Sequence, residues 1–157
     1  MKQEVVRSVY LVAGEGGHAE QARRLIQGLN FQGVALVFMS SARHPATDVL
    51  LLEVRRKYNP TILATINAVI VNTLRSFSSF RSQPPGLLIS TGPALACIPA
   101  VIARFVYNVP VVHIETWSRF RSRSITGRFM IHIADRFYYQ NIDLSSQYEG
   151  ASYSGRL

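Results

Sequence analysis

Five short runs of aliphatic and β-branched residues recur along the chain, and most hand over through a glycine or proline turn to a segment with helical spacing. That alternation is the pattern of strand–helix–strand units and a parallel sheet. The runs are Ser8 to Ala13 (SVYLVA), Val34 to Ser40 (VALVFMS), Gly86 to Ser90 (GLLIS), Val109 to Ile114 and Arg136 to Gln140. Ala22, Leu25, Ile26 and Leu29 fall on one helical face after the first run, and the pattern predicts further helices over 95–106 and 125–134. The expected fold is α/β: one open, doubly wound parallel sheet of about five strands, Rossmann-like, with ligands bound at the carboxyl ends of the strands.

The 157 residues suit a single domain, with a core over 5–140 and a polar, aperiodic tail over 141–157. At 48% hydrophobic and 17% charged, the composition excludes a disordered chain. A single cysteine, Cys97, excludes an internal disulfide framework and a cysteine zinc cluster, and predicts a small core residue in a reducing compartment. Met1 to Arg7 leads into a strand-like run, not into a secretory signal.

Charge narrows the partner. Seventeen basic residues face nine acidic ones, and fifteen of the seventeen are arginine. Arginine is the planar, bidentate cation suited to phosphates and anionic surfaces, so an anionic partner is expected. Nucleic acid is disfavoured, because no recognised RNA or DNA motif accompanies the charge.

Thr61 to Leu74 carries no charge and is flanked by Arg55, Arg56, Lys57 and Arg75. Extended to Arg81, it aligns Ile62, Ile66, Val69, Ile70, Leu74 and Phe77 on one side, with Thr65, Asn72, Arg75 and Ser79 on the other. Its uncharged stretch is too short to span a bilayer. Two readings stand: a helix packed on the sheet, or an interfacial helix on anionic lipid.

Gly14-Glu15-Gly16-Gly17-His18-Ala19 lies where the first strand meets its helix, the position at which glycines let backbone N–H groups approach a phosphate. The run also spells G-x-G-x-x-A, but Ser40, Ser41, Ala42 and Arg43 supply no ribose-binding acid after the second strand. NAD is disfavoured, and NADP through Arg43 remains an alternative. Thr91-Gly92-Pro93 offers a second such turn, and two turns on one edge suit a diphosphate. His18 is a candidate base or phosphate donor, or a residue that only closes its loop. Glu115 is a candidate base or a cap, and His113 stands two residues before it, where strand alternation allows a pair. Trp117 is a sugar-stacking or packing residue. Arg119, Arg121, Arg123 and Arg128 put four arginines in ten residues, expected with Arg75 to bind phosphate or membrane. No carboxylate cluster suggests a metal.

The GEGGH loop, the ISTGPALACIPAVIARF block and the VVHIETWSRFRSRSITGRFMIHIADRFYYQ block, in that order, resemble the anchor subunit of two-part glycosyltransferases. That family includes bacterial exopolysaccharide and capsule enzymes and the eukaryotic subunit that helps add the second GlcNAc to dolichol diphosphate. The chain is similar, more distantly, to the N-terminal half of the peptidoglycan lipid-linked GlcNAc transferase. The likeness runs from Val9 to Leu157.

The resemblance implies half of a GT-B enzyme split over two polypeptides. This half would receive a polyprenyl-diphosphate-linked sugar at the membrane, while a partner chain holds the UDP-sugar donor and no cofactor is needed. By resemblance, Gly14, Gly16, Gly17 and His18 face the acceptor diphosphate or the reacting hydroxyl, Thr91, Gly92 and Pro93 form the second loop, Glu115 is the acidic position after the fourth strand, and Ser124 and Gly127 belong to the basic segment. Glu15 departs by placing a negative charge in a phosphate loop. With no hydrophobic anchor ahead of it here, attachment is expected through the Thr61 to Arg81 helix and the arginines.

The expected function is the acceptor-side subunit of an inverting glycosyltransferase, peripheral on the cytoplasmic face of the inner membrane, with His18 or Glu115 as base. A non-catalytic membrane adaptor that recruits the catalytic chain is the rival of a different class, and an NADP-binding Rossmann domain is a third.

Overall fold

The computed structural model describes residues 8–29, 33–43, 45–54 and 61–156. Met1 to Arg7 and the basic flank of Arg55, Arg56 and Lys57 lie outside the described residues. Strands β1 (Ser8–Ala13), β2 (Leu36–Ser40), β3 (Val49–Leu50), β4 (Pro85–Ser90), β5 (Val111–Ile114), β6 (Arg136–Tyr139) and β7 (Ser152–Tyr153) form one sheet. Its order is β3-β2-β1-β4-β5-β6-β7, and every pairing is parallel. The order reverses between β1 and β4, which sets the ligand crevice of such sheets at the carboxyl ends of these two strands.

The doubly wound parallel sheet is as expected, but it has seven strands among the described residues and not five. β3 and β7 are two residues long, too short to show alternation in sequence. The polar segment after Gln140 also departs from expectation. It forms a 3₁₀ turn over Ile142–Gln147, buries Leu144 and Tyr148, and adds β7 to the edge of β6.

Among the described residues four α-helices cover the sheet: α1 (Gly17–Gly28), α2 (Ile62–Ser82), α3 (Cys97–Phe105) and α4 (Ile125–Met130). α1 packs on one face, where Ala22 and Leu25 meet Leu11, Ala13, Ile89 and Ile114. The larger core lies on the other face, where Tyr10, Val12, Met39 and Leu88 meet Phe80 of α2, Ala100 and Ala103 of α3 and Met130 of α4. Cys97 opens α3 against this core, and burial pushes its thiol up to about 11, an inert state.

α2 resolves the two readings of its sequence in an unexpected way. It does pack on the sheet, but through Ala68, Asn72, Ser76 and Phe80, the face that looks polar or small. Small residues let the backbone approach, and Asn72 caps an irregular strand end: its Oδ1 accepts from Leu52 N at 2.7 Å and its Nδ2 donates to Leu52 O at 2.8 Å. The Tyr10 hydroxyl ties the far end, 2.8 Å from Gln83 O. The apolar side therefore faces outward, with Ile62 80% and Leu63 79% exposed and Ile66, Ile70 and Leu74 exposed along the same helix. Phe105 and Val106, at the end of the neighbouring α3, are exposed as well. Among the described residues no helix is long and apolar enough to cross a membrane.

Candidate functional site

The two glycine turns meet at the switch point between β1 and β4. A Cβ on Gly14 would stand 3.0 Å from Pro93 Cβ, so the first turn closes on the second only because residue 14 has no side chain. Gly16 caps α1 at φ +61°, and Gly92 adopts φ +102°. A Cβ on Gly92 would lie 3.2 Å from His18 Cε1, so that glycine also makes room for the imidazole.

His18 is held across this junction. Its Nδ1 lies 2.7 Å from the Thr91 carbonyl oxygen. A carbonyl oxygen only accepts, so Nδ1 carries a proton, and in the neutral ring Nε2 is the nitrogen with the lone pair. The half-buried ring lines a cleft of 230 Å³ together with Gly92, Ala94, Thr116, Ser118, Arg119, Ser124, Ile125 and Thr126. An imidazole oriented through one nitrogen, with the other not committed to the chain, is the geometry a proton-accepting group needs.

The other residues of the two turns are placed differently from expectation. The Thr91 side chain is fully buried, and its hydroxyl points at the His18 carbonyl, 3.2 Å away, and the Val12 carbonyl. It is a staple between the turns and offers nothing to a ligand. Gly92 N–H donates inward to Ser90 Oγ at 3.3 Å. Gly14 is buried, whereas Glu15, Gly16 and Gly17 are exposed, so the Glu15 side chain stands away from the turn's interior. A second acid reaches the same rim unannounced by any motif: Glu53, just past β3, accepts from Ser41 Oγ at 2.6 Å.

Glu115, the alternative base, is 0% exposed. Its Oε1 accepts from Thr116 N at 2.9 Å, and its Oε2 accepts from Ser124 N at 3.3 Å, from Ser124 Oγ at 2.9 Å and from the Tyr148 hydroxyl in a short hydrogen bond. Ser124 Oγ in turn accepts from Gly127 N at 2.7 Å, capping α4. Above the carboxylate, a Cβ on Gly127 would collide with Glu115 Oε2 and Tyr148 Oη. Gln21 and Gln140 both donate to the Glu115 carbonyl. Of the two sequence readings, base and cap, the geometry agrees with the cap: Glu115 is a hub that joins α1, β5, α4 and the chain end. Burial first, and then the bond to this carboxylate, holds the Tyr148 hydroxyl well above the ordinary tyrosine range, so it stays a donor.

His113 does not pair with Glu115. Its Nδ1 meets Ser90 Oγ at 3.2 Å, its ring packs on Phe137, and its Nε2 is buried without a hydrogen bond. Burial, reinforced by the nearby His18, pushes it down to about 3. Trp117 is no open stacking platform either: the guanidinium of Arg24 lies 4.8 Å and that of Arg156 5.9 Å from its ring centre.

The arginines separate into two groups. Arg75 is half-buried, turns to the sheet and donates to the Leu50 carbonyl at 2.5 Å, away from the other four arginines that were expected to share its phosphate or membrane role. Arg119, Arg121, Arg123 and Arg128 are exposed. The loop that carries the first three is shaped by the chain end: Gln147 Nε2 donates to the Arg121 carbonyl at 2.5 Å, and Asn141 Nδ2 donates to the carbonyls of Trp117 and Arg119. Local sequence does not announce Asn141, Gln147 or Tyr148 as parts of this rim. Leu144 and Tyr148, large apolar and aromatic residues in a mostly polar tail, were the available hints of burial. Arg43, on which the NADP alternative leaned, is exposed in the turn after β2.

Residues 9–157 match the family described as "Oligosaccharide biosynthesis protein Alg14 like". The chain is 26% identical to the UDP-N-acetylglucosamine transferase subunit ALG14 of Candida albicans, over 99% of this chain and 79% of that protein. It is 24% identical to the subunit of the same name from Homo sapiens, over 96% of this chain and 82% of that protein. Among solved structures, MurG of Acinetobacter baumannii superposes with a TM-score of 0.65 at 13% identity, over 95% of this chain and 44% of MurG. The UDP-GlcNAc 2-epimerase of Methanocaldococcus jannaschii does so with a TM-score of 0.63 at 11% identity, over 87% of this chain and 40% of the epimerase. At such identity the likeness is one of fold, and the chain spans less than half of either molecule. With the family match running from β1 to the end of the strapped tail, the chain belongs to the Alg14-like oligosaccharide biosynthesis family.

Proposed function

We propose that this chain is the acceptor-side subunit of a two-chain, inverting glycosyltransferase that extends a polyprenyl-diphosphate-linked saccharide. The family, the names its relatives carry and the half-length match to MurG support the reading. The observation that carries the chemistry is His18, with Nδ1–H committed to the Thr91 carbonyl and Nε2 left uncommitted on a cleft. In the reaction, Nε2 takes the proton of the acceptor hydroxyl as that oxygen bonds to the donor's anomeric carbon. The bond from that carbon to the diphosphate breaks in the same displacement, inverting the centre, and UDP leaves on the partner chain's side. No cofactor enters this scheme.

The outward apolar face of α2, extended by Phe105 and Val106, supports peripheral attachment to the cytoplasmic leaflet of the inner membrane. The polysaccharide setting, exopolysaccharide or glycoprotein glycan, follows from which acceptor is used. The rival is an adaptor that recruits the catalytic chain and supplies no reacting group, and sealed Glu115 leaves His18 to separate the two. The experiment is turnover of the two-chain complex with a polyprenyl-diphosphate-GlcNAc acceptor and a panel of UDP-sugars, UDP-GlcNAc first. His18→Gln is expected to lower kcat about 100- to 10,000-fold with the complex intact. Near-normal turnover in that variant establishes the adaptor instead.

A further inference from the structure

The acceptor's direction through the cleft can be taken one step further. The α4 helix buries Thr126, Gly127 and Met130 and turns Ile125 and Phe129, one helical turn apart, to the outside. Ile125 is 67% exposed and also lines the cleft that holds His18. Phe120, likewise exposed, sits in the preceding loop directly after Arg119, which lines the same cleft. Ile125 thus stands on the cleft itself, with exposed Phe129 one turn further along α4 and exposed Phe120 in the arginine-bearing loop before it.

Other arginines of the molecule are tied down: Arg23 and Arg24 to Glu20, Arg104 to Asp135, and Arg75 to a backbone carbonyl. None of Arg119, Arg121, Arg123 and Arg128 is paired with a carboxylate among the described residues. At the other end of the cleft the second glycine turn has turned its polar groups inward, the Thr91 hydroxyl to backbone carbonyls and the Gly92 N–H to Ser90. Exposed guanidiniums without a carboxylate partner therefore stand on the α4 side, Arg123 among them over the Tyr148 ring, and the imidazole of His18 on the glycine side.

We propose, resting on the glycosyltransferase reading above, that the acceptor enters from α4. Its diphosphate lies against the arginines of the loop after β5, and its first isoprene units lie on Ile125, Phe129 and Phe120. A molecule that carries an apolar chain, a diphosphate and a sugar hydroxyl meets, around one cleft, exposed apolar side chains, guanidiniums without a carboxylate partner and an imidazole. The bilayer is not the occupant assigned to this wall, because Ile125 is continuous with the reacting cleft, whereas the larger apolar face of α2 is not among the cleft's lining.

The test uses the complex with its partner chain in detergent and two acceptors that differ only in the lipid: a long polyprenyl chain and a methyl group on the same diphosphate-linked sugar. The ratio of KM for the methyl acceptor to KM for the polyprenyl acceptor is expected to fall tenfold or more in the Phe120→Ser/Phe129→Ser variant. Phe120→Leu/Phe129→Leu is expected to restore it, since burial of apolar surface is what is lost. An unchanged ratio overturns the proposal. So does a variant that keeps the ratio but no longer sediments with phosphatidylglycerol vesicles, which makes the wall a bilayer contact, or one that no longer co-purifies with its partner, which makes it a protein interface. Absence of turnover by the unmodified complex with either acceptor fails the glycosyltransferase reading itself, and the acceptor's path with it.

Discussion

At the ends of β1 and β4, His18 keeps one nitrogen toward an open cleft, whereas at the end of β5, Glu115 commits both carboxylate oxygens to its own chain. Both residues occupy the same edge of one sheet, and both are titratable. The difference is what lies above them. His18 and Gly92 border the cleft. Over Glu115 there are Gly127 and the returning chain end with Tyr148. A position at the carboxyl edge of a parallel sheet makes a residue eligible for chemistry, and the layer above decides between reaction and support.

The sharpest way to break this contrast is to disturb the sealed side. Gly127→Ala places a methyl group against Glu115 and Tyr148, and is expected to cost about 3–5 kcal/mol of stability through overpacking and lost buried hydrogen bonds. Urea unfolding of the single chain checks it, and a loss below about 1 kcal/mol would show that the hub yields. Tyr148→Phe is gentler. Removing one donor from the carboxylate is expected to cost about 1–2 kcal/mol in the same measurement. Because the chain end shapes the arginine loop, the variant complex should show a raised acceptor KM more than a lowered kcat. Equal falls in kcat and kcat/KM would instead return Glu115 and its donor to the reacting group.

The smallest effect concerns His113, which is sealed on the same side. Its folded-state value of about 3 lies below the ordinary 6.5, so the unfolded chain binds a proton that the fold refuses. The stability that depends on its neutral form is fully present above pH 6.5 and is lost as the pH falls from there toward 3. The slope from this group is at most about 1.4 kcal/mol per pH unit. His113→Phe should flatten the decline in unfolding free energy between pH 6.5 and 4.5 relative to the unmodified chain. An unaltered slope would mean that water reaches the ring.

The main elements were legible because they are long and periodic: β1 over Ser8–Ala13, the glycine turn at its end, and the helix behind it. The two-residue strands were not, since no alternation fits in Val49–Leu50 or Ser152–Tyr153. The amphipathicity of α2 was legible, but its facing was not. Periodicity finds an apolar stripe without stating whether protein covers it, and here Asn72 and the small residues around it took the inner side through bonds to Leu52, some twenty positions away. For Glu115 the sequence left base and cap both open, and its burial could not be read locally, because its donor Tyr148 is thirty-three residues on.

By itself, the amino-acid sequence determined the layer architecture, the placing of two glycine turns on one sheet edge and the excess of arginine, all properties of local pattern and composition. Only the tertiary structure decided which groups at that edge stay open, which face of α2 looks outward and which arginines lack a carboxylate partner. Burial and hydrogen-bond saturation depend on neighbours brought together from distant parts of the chain, and local pattern carries no record of them.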